Sequence, residues 1–63
     1  MFSNDIRIMS LLADRSRIQD EIETNKRFLK TDVGQANFVL ILKKIAELDN
    51  EMTNVDIKIK AII

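Results

Sequence analysis

Residues 38–62, FVLILKKIAELDNEMTNVDIKIKAI, decide how this chain folds. Their apolar residues Phe38, Ile41, Ile45, Leu48, Met52, Val55, Ile59 and Ile62 follow one another in alternating steps of three and four. On a helix that spacing draws a single narrow stripe, the kind that packs against a second helix with knobs in holes. Val55 to Ala61 also alternates apolar and charged residues, the pattern of a half-buried strand. Helix is the expectation here, because the stripe keeps its phase through Val55, Ile59 and Ile62 and a lone strand would have no partner.

The first half of the chain supplies the second helix. Ile8, Leu11, Arg15, Ile18, Ile22, Asn25 and Leu29 repeat the same steps, with Arg15 and Asn25 as polar interruptions. A polar residue in such a seam fixes register at some cost in stability, which is the role expected of Asn25 opposite Ile41. Arg15 has a stem long enough to carry its charge to the edge. Ser3, Asn4 and Asp5 are the expected caps at the start of this helix.

Between the two seams lies Thr31-Asp32-Val33-Gly34-Gln35. Asp32 with Gln35 has the form of a capping box, and Gly34 could instead be a left-handed residue that ends the first helix. Leu29 and Phe38 are nine residues apart, two more than a heptad, and a slip of two fits neither common coiled-coil insertion. The chain is therefore expected to turn back on itself. The predicted fold is all-α, an antiparallel helical hairpin with a helix over about 4–30, a turn at 31–35 and a helix over about 36–62. Residues 1–63 form one domain. The flanking positions place Glu21 beside Lys44 and Asp14 near Glu51, and Glu23 and Arg27 sit four apart on one face.

A core this small rarely leaves more than ~3–5 kcal/mol of net stability, so association is expected. Residues suited to it lie off the seams. Phe2, Ile6, Met9 and Ala13 form a second stripe on the first helix, and Val39, Leu42 and Ala46 a lateral set on the second. In one hairpin these sets sit at opposite ends and cannot cover each other. Two hairpins packed antiparallel bring them together, giving a homodimeric four-helix bundle or a larger helical oligomer.

Chemistry is sparse. With no His and no Cys, the commonest bases, nucleophiles and transition-metal ligands are missing. One Gly permits no phosphate loop, and the carboxylate runs Asp20, Glu21, Glu23 and Glu47, Asp49, Glu51 have the form of solvated helix faces. No enzyme, metal or other cofactor is expected. Ten Lys+Arg balance ten Asp+Glu, so no global charge draws the chain to an anionic membrane, and no apolar run approaches the ~20 residues needed to span one. No membrane partner is expected. The absence of Cys and of a basic N-terminal leader points to a cytoplasmic protein. Richness in Ile, Lys, Asn and Asp suits an AT-rich genome, such as that of a phage or a small bacterium.

Two functions remain. The leading one is a non-catalytic interaction or regulatory protein that acts as an oligomer on a macromolecular partner, most simply a protein. The alternative is an anion-binding turn end, for RNA, DNA or a nucleotide, built from Lys26, Arg27, Lys30, Lys43 and Lys44. Phe28 and Phe38 are read there as core, leaving no stacking platform.

Overall fold

The computed structural model describes residues 2–63; Met1 and the side chains of Phe2 and Ser3 lie outside the described residues. Three helices follow one another: α1 (Phe2–Phe28), α2 (Asp32–Ala36) and α3 (Phe38–Ile62). No strand occurs among the described residues, and Val55 to Ala61 is helical. The periodicity that favoured helix over strand there is the one the backbone obeys.

The two long helices pack against each other as an antiparallel pair. Arg15 of α1 meets Asp56 of α3, 41 positions on, while the nine residues between Phe28 and Phe38 reverse the chain. The result is a rod of 49 × 14 × 10 Å. Its core is thin, as two seams facing only each other must be. Ile18 and Leu48 are almost sealed, at 2 % and 1 % exposure, and Ile22 and Val55 complete the buried cluster. Leu11, Met52 and Ile59 pack against that cluster, and Ile41 is buried toward the turn. Every seam position of α3 except Phe38 is at least half-buried.

Arg15 carries its charge out of the seam. Its Nε donates to Asp56 Oδ1 at 2.9 Å, with both side chains near solvent. An ion pair this exposed is worth about 0–1 kcal/mol and aligns the helices more than it holds them. Asn25 behaves differently from the expected register key. Half-buried, it donates Nδ2–H to the carbonyl of Glu21 in its own helix at 2.8 Å, so its polarity is satisfied without a partner across the seam. Glu21 takes Arg17 at 2.8 Å, one turn away on the same helix, rather than Lys44. Glu23 likewise accepts from Gln19 at 2.9 Å rather than pairing with Arg27.

The chain reversal differs most from expectation. α1 ends at Phe28, two residues early, and the stretch read as a turn contains a short helix. At the other end α1 is already helical through Ser3, Asn4 and Asp5, which therefore lie inside its first turns. Asp5 there opposes the positive end of the helix dipole.

Thr31, not Asp32, caps α2. Its Oγ1 accepts the N–H of Gly34 at 3.0 Å and donates to the carbonyl of Phe28 at 2.7 Å. One hydroxyl thus serves the end of α1 and the start of α2 together. The Gln35 side-chain amide donates to the Leu29 carbonyl, taking up another acceptor left by the end of α1. Asn37 closes the reversal, its amide donating to the Val33 carbonyl at 2.9 Å and its backbone carbonyl accepting from Ile41 N–H at 3.1 Å.

Gly34 does not end α1 in a left-handed conformation, since no positive φ occurs at the glycine. It is buried inside α2, against the end of α1. A Cβ built there would overlap the Phe28 carbonyl, lying 2.6 Å from its carbon and 3.0 Å from Leu29 Cα. Close approach of two backbones is what demands glycine here.

Candidate interaction surfaces

The second apolar face is where a partner could find purchase. Ile6 and Met9 are largely exposed, as is Val39 at 75 %, and Ala13, Leu42 and Ala46 also reach solvent. Phe2, the remaining member expected of this face, has its side chain outside the described residues. Leu12 is also half-exposed and extends the α1 set toward the seam.

Heptad phase locates the two sets relative to each other. Numbered from the seams, Leu12 and Leu42 both occupy e positions, and Met9, Val39 and Ala46 occupy b positions. In an antiparallel helix pair the e positions of both helices flank the seam on the same side. Met9 and Leu12, at the open end, thus share one broad side of the rod with Val39, Leu42 and Ala46 near the turn, whereas Ile6 and Ala13, at f positions, face away from the partner helix on the outside of α1.

The five basic residues expected to form an anion site are all exposed, and neither ion pair among the described residues uses them. They do not converge on one point. Lys26 and Lys44 flank the seams on opposite sides, whereas Arg27 and Lys43 fall at f positions facing away from the partner helix. Lys30 follows α1 into the reversal. The shallow cleft at the turn end is lined by Gln35, Ala36, Asn37, Phe38, Val39 and Leu40, with none of these cations. Five charges around a tip can attract a broad anionic surface but form no pocket for one small anion.

Phe28 and Phe38 are not core. Phe38 remains 46 % exposed and Phe28 nearly as much. Because α1 stops at Phe28, no further turn of it continues past the first turn of α3 to cover them. Val33 and Leu40 are exposed at the same end. The heptad pattern assigns Phe38 to the seam whatever happens at the turn, so only the early end of α1 could have revealed this apolar tip.

A cleft of about 340 Å³ opens between the far ends of α1 and α3, over Ile6, Arg7, Ser10, Leu11 and Lys58. It holds no pair of groups suited to general acid–base chemistry. No cluster of carboxylates able to hold a metal ion occurs among the described residues, and no described helix is long and apolar enough to cross a membrane. The chain matches no family model, no curated protein and no solved structure.

Proposed function

We propose that this chain is a non-catalytic helical interaction module that works as an antiparallel dimer of hairpins and acts by binding a macromolecular partner. The observation that carries this reading is the placement of Met9, Leu12, Val39 and Leu42, exposed apolar residues on one side of a neutral rod. Apolar patches of this kind on a small protein are contact surfaces more often than solvent faces. Turning a second copy over, about an axis across the helices, brings the turn end of each to the open end of the other. The α1 set of one copy and the α3 set of its partner then lie at the same end of a four-helix stack, facing across its centre.

Charge supports the same arrangement. Residues 26–44 carry five cations against the single Asp32, a net of +4, and since the chain is neutral the remainder carries −4. A parallel copy would stack the basic end of each hairpin on its like, whereas an antiparallel copy lays it over the open end, where Asp5 and Asp56 stand among Arg7, Lys58 and Lys60.

Single substitutions at either set test this. Met9→Lys and Leu42→Glu each remove an apolar contact worth ~1.5–3 kcal/mol, twice per symmetric dimer. Each is expected to shift sedimentation from dimer to monomer with the helical circular dichroism retained. Two variants that sediment like the parent chain would remove this face as the interface.

A further inference from the structure

The neutrality that argues against a membrane partner hides a segregated charge, and the basic end is also the apolar end. We propose that the turn end of the rod docks on an anionic lipid bilayer, with Phe28, Val33, Phe38 and Leu40 entering the interface and Lys26, Arg27, Lys30, Lys43 and Lys44 meeting the headgroups. These four apolar side chains are separate from the set assigned to self-association, so the inference does not rest on that reading.

Dimensions and charge favour this occupant. Lys43 and Lys44 stand five and six residues beyond Phe38, about 8–9 Å along α3 at ~1.5 Å per residue. Lys26 and Arg27 lie in the last turn of α1. The cations therefore encircle the rod a short distance behind its apolar tip. Amphipathic elements that rest on bilayers sink their apolar residues ~5–10 Å, which leaves this ring at headgroup level. Basic residues beside such a segment are drawn to the negative surface potential of anionic leaflets. Two tips of neighbouring copies would meet with +4 against +4, so charge disfavours tip-to-tip burial between copies. A nucleic acid would meet the cations but leave Val33 and Leu40 in water. Both are more than half-exposed, at 61 % and 69 %.

Vesicle co-sedimentation of the full chain tests the proposal, using phosphatidylcholine alone and phosphatidylcholine with phosphatidylserine. Partition onto the anionic vesicles is expected to exceed that onto neutral ones at least ~10-fold, through attraction of the cationic ring. The double variant Val33→Ser, Leu40→Ser is expected to lose ~10-fold of that partition while keeping its helical circular dichroism and its heparin retention. No sedimentation with anionic vesicles at low salt would overturn the proposal. So would undiminished binding by the double-serine variant, because attraction would then be purely ionic, as for a nucleic acid. A fall in the variant's oligomeric mass would overturn it too, by assigning the tip to contact between copies.

Discussion

Gly34 shows how one residue can carry two opposite expectations. In a helix interior, Gly→Ala ordinarily gains about 1 kcal/mol, since glycine has the most backbone freedom to lose. Here the new methyl would press on the Phe28 carbonyl and Leu29 Cα, which belong to backbone and cannot swing aside. Gly34→Ala is therefore expected to destabilise by ~1–3 kcal/mol, the usual cost of overpacking. For a domain of this size that lowers the melting temperature by at least about 4 °C. A higher melting temperature would mean that the two helix ends do not approach as described. Sequence alone marks Gly34 as a possible left-handed end to α1. The tight contact that demands it instead depends on where α1 stops. Thr31 and Asp32 pose the same difficulty. Either is a good cap, and the choice falls to Thr31 because its hydroxyl can also donate to Phe28.

At the level of the helices, legibility followed the strength of the periodicity. α3 carries a seam without a polar break, and its full course through Ile62 was readable, including the stretch that resembles a strand. α1 was readable as a helix, but its end was not. Leu29 belongs to the repeat, yet the backbone leaves the helix at Phe28, where Thr31 and Gln35 take up its last carbonyls. That two-residue difference leaves Phe38 uncovered, while Phe28, one position before Leu29, lies off the seam. Long side chains were harder to place than apolar ones, because each has several partners within reach. Arg15, expected only to carry its charge to the edge, takes Asp56 across the seam. The test at this scale is Leu48, the most deeply buried residue of the cluster, at 1 % exposure. Leu48→Ala leaves a cavity between the helices and is expected to cost ~2–5 kcal/mol. In a core of so few buried residues that loss should abolish cooperative thermal unfolding as followed by circular dichroism. Melting within a degree of the parent chain would place Leu48 outside any seam that matters.

The whole molecule is a neutral rod with a basic apolar tip, an acidic remainder and, on one side, Met9 and Leu12 at one end and Val39 and Leu42 at the other. The exposure of Ile6, Met9 and Ala13 was legible from sequence, because helical phase alone separates them from the seam. Leu12 was missed because it stands between stripe and seam. The five cations share the turn end without pointing the same way, for a related reason. Nearness to the turn is a matter of chain position, whereas convergence depends on helical phase, and the phases of Arg27 and Lys43 point away from the partner helix. The central claim, that hairpins pair antiparallel through this side, bears directly on mass. Light scattering across a dilution series is expected to give twice the 7.3 kDa of one chain. Met9→Lys should bring that value down to a single chain at the same concentrations. A parent chain that scatters as one 7.3 kDa particle throughout, with helical circular dichroism intact, would contradict the account.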